Sequence, residues 1–160
     1  MMLRAYQPDD RESCIDVFNS NCPAFFDEKE REMFVKWLDH MDGNGPYSSP
    51  AYSNSVHDAY YVVDVPNEGI VGCGGFYIMD SPPEARMAWG MIHSGYHRLG
   101  FGAALFNYRK TIIKKDWPGR SITLGTSQHT FPFYEKMGLN VSNFVEAGFG
   151  ADLHRYDMRE

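Results

Sequence analysis

The run Met91-Ile92-His93-Ser94-Gly95-Tyr96-His97-Arg98-Leu99-Gly100-Phe101-Gly102-Ala103-Ala104-Leu105 constrains this chain more than any other stretch. An apolar segment ends, a loop with two closely spaced glycines follows, and a helical pattern begins at once. Such a turn leaves consecutive backbone N–H groups without intrahelical acceptors at the positive end of a helix dipole. Glycine removes the side chains that would block close approach. The arrangement suits an anion, and phosphate above all. Two common phosphate motifs do not fit. The dinucleotide pattern G-x-G-x-x-G needs glycine where Leu105 stands, and a P-loop needs a Gly-Lys-Ser/Thr that is absent.

Composition narrows the remaining classes. At 160 residues the chain has the length of one domain, spanning 1–160, and its 43% hydrophobic content suits a packed core. The net charge of −6 provides no basic field for nucleic acid or an anionic membrane. No apolar run reaches membrane-spanning length, and the N-terminus lacks the apolar core of a secretory signal, so a cytoplasmic location is expected. Cys14, Cys22 and Cys73 are odd in number and widely spaced, which fits reduced, buried thiols. His93 and His97 are four apart but lack a third ligand, so no metal is expected.

Along the chain, Leu3 and Ala5 alternate with polar neighbours as in a short strand. Asp9 and Glu12 have capping-box spacing ahead of Cys14, Val17 and Phe18. Asp27 and Glu30 repeat it ahead of Met33, Phe34, Trp37, Leu38 and Met41. Residues 43–58 form a turn-rich, tyrosine-bearing stretch without periodicity, either a lid or a disordered loop. Ala59–Val65, Ile70–Met79 and Ala85–His93 then read as a three-stranded meander. Gly72, Gly74 and Gly75 in its second strand suggest a bulge or a close backbone contact. The helix after the glycine loop presents Phe101, Leu105, Tyr108 and Ile112 as an apolar stripe. A strand at Ser121–Gly125, a helix with Pro132 in its first turn and Gly138 behind it, and strands at Phe144–Ala147 and Leu153–Arg159 complete a mixed α/β order.

The segment His97-Arg98-Leu99-Gly100-Phe101-Gly102 resembles the Q/R-x-x-G-x-G/A loop of the GNAT family of N-acetyltransferases, which cradles the pyrophosphate of acetyl-coenzyme A. Thr130-Phe131-Pro132-Phe133-Tyr134-Glu135-Lys136-Met137-Gly138-Leu139 resembles that family's A-x-x-x-Y-E-K-x-G-F segment. One helix and one strand separate the two, and the order of elements agrees over nearly the whole chain. The resemblance implies an α/β fold: a mixed, mostly antiparallel twisted sheet of about seven strands, flanked by about four helices and splayed between the fourth and fifth strands. It implies acetyl-coenzyme A as cosubstrate and a primary amine, on a small molecule or peptide, as acceptor.

The resemblance also assigns roles. Ile92, His97, Arg98, Leu99, Gly100, Phe101, Gly102, Ala103 and Ser127 would hold the cofactor. Ile92 stands near the oxyanion donor, and His97 contributes mainly a main-chain amide. Ser127 replaces the family's usual asparagine, and Tyr134 would protonate the departing thiolate. The strand before the loop lacks the glutamate that relatives often use as base, Glu84 falling in the turn at its start, which leaves His93, Asp64, Glu146 or a water relay. Phe25 and Phe26 fall where relatives cover the acceptor, as a slot or as a staple onto the second helix. Relatives often pair through their last strands, so a homodimer using Phe144 or Tyr156 is an expectation. A non-catalytic acyl-coenzyme A-binding module of the same fold is the alternative.

Overall fold

The computed structural model describes residues 1–160. Seven strands and four α-helices follow the order β1 (Met2–Ala5), α1 (Arg11–Ser20), α2 (Glu30–Met41), β2 (Ser55–Val65), β3 (Gly69–Asp80), β4 (Pro83–Ile92), α3 (Phe101–Asp116), β5 (Ser121–Thr126), α4 (Phe131–Lys136), β6 (Asn140–Gly150) and β7 (Leu153–Arg159). They form one sheet in the order β1-β2-β3-β4-β5-β7-β6. Every neighbouring pair is antiparallel except β4 and β5. That parallel pair is short: Glu84, Ala85 and Arg86 face Ser121, Ile122 and Thr123, and beyond them the strands separate. The splay expected between the fourth and fifth strands is present. No helix is long and apolar enough to cross a membrane.

The period of two along the strands sends alternate side chains to opposite helical layers. Tyr60, Val62, Cys73 and Tyr77 meet Cys14, Val17, Phe18, Phe34, Trp37 and Leu38 on the α1/α2 side. Phe76, Ile78, Ala85 and Met87 meet Phe106 and Ile113 of α3 on the other. Central strand β3 is buried from Val71 to Met79, which explains its long apolar run.

The glycine cluster of β3 marks both features expected of it. A register shift falls between Cys73 and Gly75, with the extra residue on β4, where Trp89 takes φ +51. Gly75 sits so close to β2 that a Cβ there would land on the carbonyl oxygen of Ala59. A backbone oxygen inside a ladder has nowhere to go. Gly75→Ala should therefore destabilise the fold by about 3 kcal/mol, roughly 6–12 °C in Tm, as read by thermal denaturation.

Three local expectations need correction. Asp9 does not cap α1: a 3-10 turn at Pro8–Asp10 precedes it, and Asp10 accepts from the Gln7 amide and twice from Arg4. The stripe on α3 is displaced, because Leu105, Phe106, Arg109 and Ile113 are buried while Phe101, Tyr108 and Ile112 flank them. A charged Arg109 at the centre of that face hid it from an apolar pattern. Within residues 43–58, the last four belong to β2; of the loop ahead of them, Tyr47, Ser49, Pro50 and Ala51 line the cavity described below, and its tyrosines are anchored. Tyr47 is buried against Trp37, and Tyr52 stacks edge-on to Tyr77 while donating to Asp58. The Asp27–Glu30 spacing forms half of a box, one turn ahead of α2: Glu30 accepts from the Asp27 amide at 3.1 Å, while the Asp27 carboxylate accepts from the Lys29 amide at 2.9 Å and the helix itself starts behind Lys29.

Candidate active site

The separation of β4 from β5 opens a cavity of about 950 Å³. Its first wall is the glycine loop. Arg98 and Gly100 both take positive φ, +64 and +88, which turns the chain sharply before α3. None of the backbone N–H groups from Arg98 to Ala103 has an acceptor within the protein; the first intrahelical bond is Ala104 N–H to Gly100 O. Six consecutive donors at a helix start make an anion cradle. Gly102 opens into the cavity, where a Cβ would first meet the ring of Phe133 at 3.5 Å. The Leu99 side chain points to solvent and Phe101 packs beside Tyr96, so these two residues offer the cavity only their main chain.

Ile92 closes β4 at the cavity edge. His93 N–H bonds Val71 O, which makes Ile92 and Gly72 a non-hydrogen-bonded pair and turns the Ile92 amide and carbonyl away from β3. That carbonyl accepts from Asn21 Nδ2 at 2.9 Å and His97 Nε2 at 2.8 Å. The His97 side chain thus pins the start of the loop to the end of β4, where the sequence suggested mainly a main-chain contribution. Ser127 is buried in the wall, and its hydroxyl oxygen accepts from the His129 amide at 3.3 Å.

Tyr134, on α4, faces the same cavity between Phe106 and Phe133. Beneath it lies Arg109, 2% exposed, which donates to the carbonyls of Gly75 (3.1 Å) and Leu105 (3.3 Å). It pairs with no carboxylate, and the Tyr134 hydroxyl is close enough to interact with its charge. Burial pulls its pKa below the usual arginine value. Gly74 and Gly90 are glycines because the guanidinium occupies the space of their side chains, each Cβ falling 3.1 Å from one of its atoms. That pairing of small strand residues with a helical arginine was the available sequence signal.

The α1/α2 side and residues of β5, β6 and β7 supply the remaining walls. Phe25 sets its ring edge-on to His97 and His129, while Phe26 packs on Phe18 and Trp89 and joins the core beside Phe34. Both line the cavity. Tyr47 holds Trp89 by accepting from its indole N–H at 3.2 Å. Two carboxylates line this space, Glu30 and Asp157. Burial pushes Glu30 up to about 7, against the lowering effect of the Asp27 amide. The acids and bases picked from sequence lie elsewhere. Asp64 binds Arg4, Glu84 pairs with Arg159, His93 caps a 3-10 turn, and Glu146 is exposed on β6. Glu30 was passed over because its spacing already had a structural meaning as a cap.

The acetyltransferase (GNAT) family model matches residues 15–139, a span that includes the cradle and Tyr134. The chain belongs to the GNAT family. Acetyl-coenzyme A is that family's cosubstrate, and the free amides of the cradle fit its diphosphate. Solved GNAT structures superimpose over almost the full length. An aminoglycoside 6'-N-acetyltransferase complexed with coenzyme A matches at TM-score 0.74 and 16% identity, covering 100% of this chain and 96% of that one. A spermidine N-acetyltransferase chimera of Vibrio cholerae SpeG and hSSAT gives 0.74 and 16%, covering 99% and 93%. The Escherichia coli ribosomal-protein-S18-alanine N-acetyltransferase gives 0.72 and 11%, covering 99% and 91%. Among curated proteins, none matches the sequence.

If the GNAT cradle continues past Gly102 as a channel for the pantetheine arm, a branched side chain there obstructs it. Gly102→Val should weaken coenzyme A binding by about tenfold or more in calorimetric titration, with little change in Tm. Unchanged affinity would place the channel elsewhere.

Proposed function

We propose that the protein is an N-acetyltransferase that moves the acetyl group of acetyl-coenzyme A directly to a primary amine of a small molecule or peptide. The observation that carries this reading is the run of six unpartnered amides from Arg98 to Ala103, opening into the same cavity as Tyr134. Acetyl-coenzyme A, when bound, supplies an activated acyl carbon and a thiolate leaving group.

The protein's own groups divide the remaining work. The Ile92 amide, turned away from β3, is the donor for the developing oxyanion. An alkyl amine is protonated at neutral pH, and the Glu30 carboxylate takes the proton that frees its lone pair. As the carbon–sulfur bond breaks, its electron pair leaves with sulfur and the Tyr134 hydroxyl gives its proton to that sulfur. The surplus proton on the acylated nitrogen then returns to the tyrosyl oxygen. An ordinary phenol, near ~10, is a slightly weaker acid than a thiol, near ~8.5, so this proton transfer alone is uphill by about 2 kcal/mol. The return of the surplus proton from the acylated nitrogen, a far stronger acid than a phenol, offsets that cost.

An acetylation assay over a panel of primary amines, read by released thiol, tests the proposal. Amine-dependent thiol release is expected. Coenzyme A binding without thiol release from any amine would instead make the protein a non-catalytic binding module, and absence of binding would overturn both readings.

A further inference from the structure

The nine arginines of this chain, four of which line the cavity, sort by whether a carboxylate pairs with them. Arg4, Arg11, Arg120, Arg155 and Arg159 each pair with a carboxylate, and the half-buried Arg31 lies over Phe18 and bonds Asn19. The three others, Arg86, Arg98 and Arg109, pair with none, and all three line the cavity. Arg98 belongs to the cradle and Arg109 lies under Tyr134. Arg86 has no role in the transfer described above.

Its position is specific. Arg86 and Thr123 form the last pair of the short β4/β5 ladder. The Arg86 side chain runs forward over Tyr77, its partner on β3, whose hydroxyl feels its charge. Its Nη2 ends 3.0 Å from the point where a Gly125 side chain would begin. Continued parallel register would set Gly125 opposite Ala88, so the guanidinium stands at the fork of the splay. A Cβ at 125 would crowd it there. Asp157 Oδ1 lies 3.6 Å from the same point and is itself held by Arg155 and Asn143. A free cation and a carboxylate therefore face one spot without pairing with each other. The fork lies two residues, about 7 Å, before Gly90, where β4 turns toward Ile92 and the reacting carbonyl.

We infer that Arg86 binds a carboxylate of the acceptor and that the acceptor is a free amino acid. This inference rests on the acetyltransferase reading and deepens it. The guanidinium takes the α-carboxylate in a charge-assisted, two-pronged contact, and Asp157 takes the ammonium hydrogens on the other side. A cation and a carboxylate facing one point match the opposite charges that a free amino acid carries on neighbouring groups. Trp89 and Phe26 form the wall left for the amino acid's own side chain.

The test compares the free L-amino acids with their carboxamides, which keep the amine and lose the charge. Steady-state thiol release should favour the best free acid over its amide by about 10–100-fold in kcat/KM. Arg86→Gln should collapse that ratio to near one through KM, and Arg86→Lys should restore part of it. An amide used as well as its acid, or a ratio that survives Arg86→Gln, overturns the inference. Calorimetry of the coenzyme A-loaded protein with each acid and amide poses the question for binding alone. Acid-selective binding lost in Arg86→Gln supports the Arg86 assignment even where no thiol is released, an outcome that would refute the acetyltransferase reading instead. Binding of neither acids nor amides, beside acetylation of amines lacking a carboxylate, refutes the inference and leaves acetyl transfer standing.

Discussion

Tyr134→Phe should lower kcat for acetyl transfer by about 10²–10³-fold while coenzyme A affinity stays within twofold. The reasoning is local. Phenylalanine keeps the ring between Phe106 and Phe133, so the wall and its packing survive and only the hydroxyl goes. The departing sulfur then leaves as an unprotonated thiolate, near a buried arginine that retains its bonds to the Gly75 and Leu105 carbonyls. The loss should appear in kcat and kcat/KM alike, because the missing bond is made only as the carbon–sulfur bond breaks. Pre-steady-state measurement of the first turnover separates this from slow product release. A variant within threefold of the parent would remove Tyr134 from the chemistry.

Glu30→Gln should separate activity from stability. As the proton acceptor, Glu30 must be ionised, so the kcat/KM of the parent should rise with pH through about 7 and level off above it. In the glutamine variant that rise should move toward the amine's own ionisation, with a loss of about 10–100-fold at neutral pH. The stability effect has the opposite sign. The carboxyl is held above its ordinary value of 4.5 in the folded chain, so its favourable contribution is complete below 4.5 and is lost as pH rises through about 7. At pH 8 the parent carries a buried charge that glutamine lacks, while the amide oxygen can still accept from Asp27 N–H. The full shift corresponds to about 3 kcal/mol, and partial exposure reduces it to about 1. The variant should therefore melt about 2–4 °C above the parent at pH 8 and near it at pH 5. A parent activity profile flat between pH 6 and 8 would reassign the base.

Much of this architecture was legible in the residues. The glycine loop, the period-two strands and the Y-E-K-x-G segment each carry a local physical requirement, and local requirements can be read without a fold. What escaped was the cavity's charge. Arg109 stands where a helical stripe predicts an apolar residue, and its meaning depends on Gly74 and Gly90 from two other strands. Glu30 carried a capping pattern that fully accounted for it. Arg86 reads as an ordinary outward residue of a half-buried strand until Gly125, on a strand 35 residues later, leaves the space it occupies. All three are properties of juxtaposition across the sheet, where a linear pattern carries no information.

The two ends of the cavity are written in different alphabets. The donor end is built from peptide groups and a few backbone torsions, so side chains at positions such as Leu99 and Phe101 can drift without touching it. On the reading proposed above, the opposite end is built from Arg86, Asp157, Glu30 and the rings around Trp89, and replacements there would change the acceptor. A scaffold divided this way can exchange one amine for another in a few mutations while its handling of the acyl carrier stays the same. Chains that share about one residue in six with this one keep its fold.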